Sequence, residues 1–118
     1  MAPVQIAERR ISNVVIFTVS GHLVADEGDL ELRDRVAAAM VAGATGVLLD
    51  LHDVGYMDSG GAGALAASLF HVARRGGALK LLQPSERVCR VLDSTHMIKV
   101  FDVFADEASA LRSFDSIA

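Results

Sequence analysis

A serine hydroxyl next to a carboxylate, followed by glycines, is the group of residues in this chain best suited to chemistry. Asp58 and Ser59 lie in the stretch "LLDLHDVGYMDSGGAGALAASLF", residues 48–70, where an apolar run gives way to an alanine-rich one. A serine just before a helix is most often a structural N-cap, whose hydroxyl accepts a hydrogen bond from an unpaired backbone N–H. The same place favours anions, and a phosphate on Ser59 would add a charge of about −1.5 to −2. The cap and the modifiable hydroxyl are both open interpretations at this point.

Three glycines at the start of this predicted helix bear on that choice. Gly60, Gly61 and Gly63 each weaken the helix by roughly 0.5–1 kcal/mol relative to alanine, and a chain that needed only a cap would not need them. They predict an open backbone that a kinase or another partner could approach closely. Asp58 has two interpretations of equal weight: a turn residue or competing cap, or an acid that orients a kinase or opposes a second negative charge.

Other kinds of chemistry lack the groups that they require. A serine hydrolase is disfavoured because Met57 stands where the G-x-S-x-G pattern needs its first glycine, and nothing marks His71 or His96 as a base. The run "GGAG" lacks the Lys-Ser/Thr ending of a P-loop. The four histidines share no spacing typical of zinc sites. We therefore expect no enzyme activity, no metal and no cofactor.

Charge and composition limit the partners and the location. The 118 residues suit one compact domain spanning 1–118. A net charge of −4, with Lys and Arg spread along the chain, argues against direct nucleic-acid binding. No apolar stretch reaches the roughly 20 residues that span a bilayer, and the N-terminus lacks a signal-peptide pattern, so we expect no membrane insertion. One cysteine, Cys89, allows no internal disulfide, which fits a reducing, cytoplasmic location.

The apolar pattern predicts an α/β layered domain with a largely parallel sheet of about four to five strands. Strands are predicted over 3–9, 11–19, 47–51, 78–82 and 99–104, and helices over 27–42, 59–75, 84–93 and after a cap at Asp106. The segment "SGHL" is predicted to be the turn that leaves the second strand. Asp26 or Asp29 is expected to cap the first helix, whose inward residues are expected to be Leu30, Val36, Ala37 and Met40.

The helix predicted after Ser59 is apolar on more than one side. Phe70, Ala66 and Ala67 fall outside the stripe that must face the sheet. Burial against a neighbouring helix would explain them, and the alternative is an exposed patch that binds a partner. An exposed Phe70 beside a modifiable serine would make a switchable interface.

The sequence as a whole resembles a known family. "LLDLHDVGYMDSGGAGAL" is similar to the signature of the STAS domain, which occurs in bacterial anti-sigma factor antagonists. "VSGHLV", residues 19–24, resembles the family's apolar-x-Gly-x-Leu-Asp turn, and the resemblance covers about residues 11–114. It implies a mixed, mostly parallel sheet with helices mainly on one face.

The resemblance also implies a mechanism called partner switching. The unphosphorylated antagonist binds an anti-sigma factor that is a serine kinase, the kinase phosphorylates the antagonist and ends the complex, and a phosphatase resets the switch. By position, the phosphate acceptor is Ser59. The residues expected to contact the partner are His22, Val24, Asp58, Gly60, Gly61 and Phe70.

Three positions depart from the family pattern, and a second function stays open. Val24 stands where the family often has Asp, Gly60 replaces the common second serine, and His96 replaces a common glycine. The alternative function is a STAS scaffold, or a soluble subunit of a lipid or anion transport system, that works without phosphorylation.

Overall fold

The computed structural model of the chain describes residues 3–115, so the predicted domain limits at 1 and 118 lie outside the described residues. Five strands form one sheet in the order β1-β2-β3-β4-β5. β1 and β2 pair antiparallel, and every later pair is parallel. The predicted mixed, mostly parallel sheet is therefore confirmed, and its strands are β1 Gln5–Ile11, β2 Val14–Leu23, β3 Gly46–Met57, β4 Ala78–Leu82 and β5 Val103–Phe104.

Within the described residues, four α-helices cover the two faces of this sheet unequally. They are α1 Gly28–Val41, α2 Ser59–Arg74, α3 Glu86–Ser94 and α4 Glu107–Phe114. The first three share one aliphatic core with the sheet. α4 packs on the opposite face, where Ala110 and Phe114 contact Ile16 and Leu48. The helices thus lie mainly on one face, as the family resemblance implies.

β3 is the central strand that these two cores enclose. Leu49 and Leu51 face the larger core, whereas Leu48 faces α4, and all three are fully buried. A continuous apolar run of this kind is typical of a strand covered on both faces. β3 continues past the predicted end at residue 51 because its last residues pair with the end of β2, with Tyr56 opposite His22. β3 therefore ends at Met57, two residues before the first residue of α2.

The segment "SGHL" is part of β2, so the predicted turn is wrong. The pairing of β2 with β3 changes register between Thr18 and Ser20 and again between Gly21 and His22. Gly21 has a φ of +89°, which a glycine adopts without strain. Such an irregularity bends a strand without ending its pairing. As a result, β2 reaches Leu23 and runs beside the end of β3.

The start and the inward face of α1 also differ from the prediction. Neither Asp26 nor Asp29 is the N-cap: Glu27 occupies that position, and its side chain makes no cap hydrogen bond. Leu30 is 54% exposed, and Leu32 takes its place in the core. The other predicted residues fit better, since Val36 and Met40 are buried and Ala37 is half-buried.

The C-terminal third follows the prediction except at its last strand. "ALKLL" forms β4 at the predicted residues 78–82, and α3 begins and ends within two residues of its prediction. The predicted strand over 99–104 is mostly wrong, because Ile98–Val100 form a 3-10 turn and only Val103 and Phe104 pair with β4. His96 has a φ of +60°, the backbone conformation that a glycine adopts most easily.

Lys80 in β4 holds α4 against the sheet. This lysine is only 9% exposed, although it lies in the middle of β4. Its ammonium group donates hydrogen bonds to the carbonyl and hydroxyl oxygens of Ser113, at 3.2 and 2.9 Å, and lies 4.9 Å from the centre of the Phe114 ring. A buried charge needs such partners, and here both hydrogen-bond acceptors and the nearer aromatic ring belong to α4.

Asp106 caps α4, as predicted. Its carboxylate accepts hydrogen bonds from the backbone N–H of Ser109, at 2.8 Å, and from the Ser109 hydroxyl, at 2.9 Å. Both bonds favour the charged form, so they lower the pKa of Asp106.

This lowered pKa predicts how Asp106 contributes to stability in acid. The charged carboxylate stabilises the native state above the ordinary carboxyl pKa of about 4, and this contribution is lost as the pH falls through the lower native value. We therefore expect wild type to be more stable than Asp106→Asn at neutral pH, with the difference disappearing in acid below about pH 4. Urea unfolding followed by circular dichroism across this range measures it. A difference that stays constant through the acid range would contradict the prediction.

Candidate phosphorylation and partner-binding site

Asp58 lies between β3 and α2 and is the N-cap of that helix. Its backbone is extended, and its carboxylate accepts a hydrogen bond of 2.9 Å from the N–H of Gly61. Of the two open interpretations of Ser59, the structural N-cap is therefore wrong, since Ser59 is the first helical residue. The hydroxyl of Ser59 is left without a capping role.

The same carboxylate also holds the segment that follows β2. Both oxygens of Asp58 lie 3.2 Å from the backbone nitrogen of Ala25 and accept its hydrogen bond. One side chain thus joins the start of α2 to the end of β2. Of the two interpretations of Asp58, the structure supports the capping one, and direct contact of Asp58 with a partner stays a prediction.

Gly60 and Gly61 allow this close approach of two chain segments. A Cβ at Gly60 would lie 2.5 Å from the Cβ of Ala25, and one at Gly61 would overlap the carbonyl oxygen of Leu23. The chain itself therefore fills the space beside these two glycines, and contact of Gly60 and Gly61 with a partner stays a prediction. Only the third glycine of the group, Gly63, has no atom within 4 Å of an added Cβ.

Val24 lies in the same segment, and its side chain points into the protein. It is 6% exposed, so a partner could reach its backbone but not its side chain. The aspartate that the family often carries at this position would be costly to bury here. Contact of Val24 with a partner stays a prediction, and in this structure it would involve the backbone of Val24.

Ser59 and Phe70 share the exposed face of α2. Ser59 is exposed, and among residues 3–115 its hydroxyl has no hydrogen-bond partner. Phe70 is 62% exposed, which decides between the two interpretations of this residue in favour of a surface position. Eleven residues separate the two, which places them on one helix face about 16 Å apart. Gly63 lies between them on the same face. Because glycine has no side chain, little protrudes beside Ser59, and the surface there is mostly apolar.

Sequence reasoning missed a cluster at the same end of the sheet. The ring of His22 lies 5.7 Å from that of Tyr56, and the guanidinium group of Arg87 lies 4.3 Å from the Tyr56 ring centre. His22 Nδ1 and Arg87 Nε are both buried, and neither has a hydrogen-bond partner within residues 3–115. Tyr56 is 38% exposed and precedes Ser59 by three residues. Tyr56 could have been identified from the sequence only if β2 and β3 had been predicted to their full length, because it then pairs with His22.

The described part of the chain contains neither a metal-type cluster of side chains nor a membrane-spanning helix. Between residues 3 and 115, no three His, Cys, Asp or Glu side chains are grouped so that they could hold a metal ion. None of the helices described there has the length and apolar character needed to cross a membrane.

The fold and this site define a family. The model of the STAS domain family matches residues 5–110. The chain belongs to the STAS domain family.

Its relatives within the family share one description. The anti-sigma-B factor antagonist of Bacillus subtilis (strain 168) is 36% identical over 81 residues, which cover 69% of this chain and 73% of that protein. The anti-sigma F factor antagonist of Paenibacillus polymyxa is 23% identical over 114 residues and 97% of each chain. Among solved structures, the anti-sigma factor antagonist SpoIIAA in its unphosphorylated form superposes with a TM-score of 0.80, at 21% identity, over 97% of this chain and 99% of that one. SpoIIAA from Bacillus is also solved in a phosphorylated form, which superposes with a TM-score of 0.71, at 19% identity, over 92% of this chain and 99% of that one.

Proposed function

We propose that this protein is an anti-sigma factor antagonist that works by partner switching at Ser59. Unmodified, it binds an anti-sigma factor that is also a serine kinase. Phosphorylation of Ser59 by that kinase ends the complex, and a phosphatase restores the binding form. The protein itself is not an enzyme, and the exchange takes place in the cytoplasm.

The exposed hydroxyl of Ser59 is the observation that carries this proposal. It stands at the first residue of α2, has no hydrogen bond of its own in the described chain, and lies beside a cap that Asp58 already supplies. Because this hydroxyl makes no hydrogen bond within residues 3–115, its phosphorylation would break none. The backbone beneath it is held in place by the contacts of Asp58 with Ala25, so the acceptor is presented on a fixed turn.

The surface around Ser59 explains why a phosphate would end binding. The exposed face of α2 presents Gly63 and Phe70, which suit a closely packed, mostly apolar contact. A phosphate adds about −1.5 to −2 charges, which such a contact must desolvate or repel. SpoIIAA, a structural relative, has been solved in a phosphorylated form, which supports phosphorylation as the modification.

Phosphopeptide mass spectrometry on protein purified from its own cells, in growth and in stress, tests the proposal. We expect phosphate on Ser59 in a fraction that changes with the condition, and none on that peptide in Ser59→Ala. Ser12→Ala is the matched control, because Ser12 is also exposed but lies in the turn between β1 and β2. Removing the Ser12 hydroxyl should leave phosphorylation of Ser59 unchanged. Absence of phosphate from Ser59 in every condition would contradict partner switching and favour the scaffold or transport-subunit alternative.

A further inference from the structure

Tyr56 and Arg87 stack on each other at the end of the sheet that also carries Ser59. The guanidinium carbon of Arg87 lies over the Tyr56 ring, 4.3 Å from its centre, which is the geometry of a cation–π contact. Tyr56 is exposed, and the ring of His22 lies beside it. Tyr, Trp and Arg are the residues most enriched among those that dominate the binding energy of protein interfaces. The pair, which we call the Tyr56–Arg87 stack, therefore has the composition of an interface anchor.

The start of α3 is joined to β3, which fixes the position of Arg87. Ser85 is the N-cap of α3, and its hydroxyl donates a hydrogen bond of 2.7 Å to the carbonyl oxygen of Val54. Val54 precedes Tyr56 by two residues on β3. Both members of the stack thus rest on backbone that is directly linked. Arg87 is therefore held in place before any partner binds, which lowers the entropic cost of a contact.

The charge of Arg87 is partly buried and has no counter-ion. Its Nε is buried, and the side chain makes neither an ion pair nor a hydrogen bond within residues 3–115. Removing a charge from water costs free energy, which a paired anion offsets. Nε itself is out of reach of a partner, but the two terminal nitrogens of the guanidinium group are not buried in this way. Their N–H groups match the two oxygens of a carboxylate.

The stack lies within the area that a partner bound over Ser59 would cover. Three residues separate Tyr56 from Ser59, so their Cα atoms are at most about 11 Å apart. A standard interface covers about 800 Å² on each partner, which corresponds to a patch roughly 30 Å across. Such a partner would also cover Arg87 and remove the remaining water from its charge.

We propose that the Tyr56–Arg87 stack binds one carboxylate side chain, an Asp or Glu, of the anti-sigma factor. The terminal nitrogens of Arg87 donate hydrogen bonds to the carboxylate, and the exposed ring of Tyr56 packs beside it. Arg87 is the only Lys or Arg in the cluster with His22 and Tyr56, which matches the single charge of a carboxylate better than the higher charge of a phosphate. This inference rests on the proposed function, because the contact is made by the partner proposed there.

Binding of the anti-sigma factor to Arg87→Gln, measured by calorimetry without nucleotide, tests the contact. We expect the affinity to fall at least about tenfold, because a charge-assisted pair is lost from the interface. Arg90→Gln is the matched control, since Arg90 lies on the same helix but is exposed and paired with Glu86. It removes the same charge and should bind as wild type does. Should Arg87→Gln fail to fold, Arg87→Lys keeps the long stem but loses the paired donors, and it should also bind more weakly.

A double-mutant cycle identifies the carboxylate on the partner. Each Asp of the anti-sigma factor is replaced in turn by Asn, and each Glu by Gln. We expect one replacement to weaken binding of wild type at least about tenfold and to leave binding of Arg87→Gln unchanged, because the contact is already absent there.

Phosphorylation kinetics separate recognition by Arg87 from an action on the phosphate. In the kinase reaction, Arg87→Gln should raise the KM for this protein at least about tenfold and leave kcat as it is for wild type. A lower kcat with an unchanged KM would mean that Arg87 acts on the transferred phosphate, which contradicts the proposal.

Three binding results would overturn the proposal: wild-type affinity in Arg87→Gln, an equal loss in Arg90→Gln, or no acidic residue of the partner that couples to Arg87. None of them affects the function proposed for Ser59, provided that wild type binds the anti-sigma factor and Ser59→Asp does not. Full binding by Ser59→Asp together with weak binding by Arg87→Gln would contradict the switch alone. Absence of binding by wild type would contradict both proposals.

Discussion

Replacing Gly61 with alanine is expected to lower the free energy of unfolding by about 1–3 kcal/mol, the usual cost of overpacking. The new methyl group would overlap the carbonyl oxygen of Leu23 and would lie 2.7 Å from Cγ of Met57. The carbonyl oxygen belongs to the backbone and cannot move aside as a flexible side chain does. Either the end of β2 or the first turn of α2 must therefore shift, and the hydrogen bonds of Asp58 that join them are disturbed with it.

Gly63→Ala is the matched control for this prediction, two residues further along the same helix. Nothing lies within 4 Å of an added Cβ there, and alanine favours helix over glycine by about 0.5–1 kcal/mol. We therefore expect Gly63→Ala to be slightly more stable than wild type, where Gly61→Ala is much less stable. Urea unfolding of the three proteins measures both effects. Equal stability of the two variants would show that close packing at Gly61 is not what requires a glycine.

Adding a negative charge at Ser59 is expected to weaken anti-sigma factor binding by about 100-fold or more, or about 2.7 kcal/mol. The substitution Ser59→Asp adds one charge, and phosphorylation adds more, at the centre of the surface proposed for binding. Ser59→Ala changes neither charge nor shape by much, so it should bind as unmodified wild type does and resist release by ATP. Calorimetry or surface plasmon resonance with the anti-sigma factor from the same cells gives the three affinities.

Ser12→Asp separates a local effect from a general effect of charge. Ser12 lies in the turn before β2, at the end of the sheet opposite to Ser59, and its φ of +56° is one that aspartate tolerates. We expect Ser12→Asp to bind the anti-sigma factor as wild type does. Full binding by Ser59→Asp would contradict partner switching, whereas equal losses in both variants would indicate long-range repulsion instead of a charge within the interface.

The sequence predicts the parts of the fold that depend on local pattern. β4 is found at its predicted residues because a short apolar run, "ALKLL", is bounded by glycines on one side and a proline soon after the other. The end of β2 could not be predicted in this way. Ser20 and Gly21 have the composition of a turn, and only pairing with β3, more than 30 residues away, keeps them in the strand.

The candidate site shows the same division between local and distant causes. The position of a helix start after Met57 is predicted, but Asp58 and Ser59 are adjacent and both suit a cap. Asp58 takes the role because its carboxylate also reaches the N–H of Ala25, a contact 33 residues distant in the chain. Gly60 and Gly61 have the same cause, since they make room for Ala25 and Leu23. Neither contact has a signature in the sequence near Ser59.

The placement of α4 has a consequence for how this protein is made. α4 covers the second face of the sheet, over Ile16 and Leu48, yet it follows all five strands in the chain. Synthesis proceeds from the N-terminus, so the sheet and the first three helices leave the ribosome before their second face has a cover. During that interval the nascent chain exposes an apolar strip, and exposed apolar surface of this kind promotes aggregation. The exposure ends when α4 packs on the sheet and Lys80 forms its hydrogen bonds with Ser113.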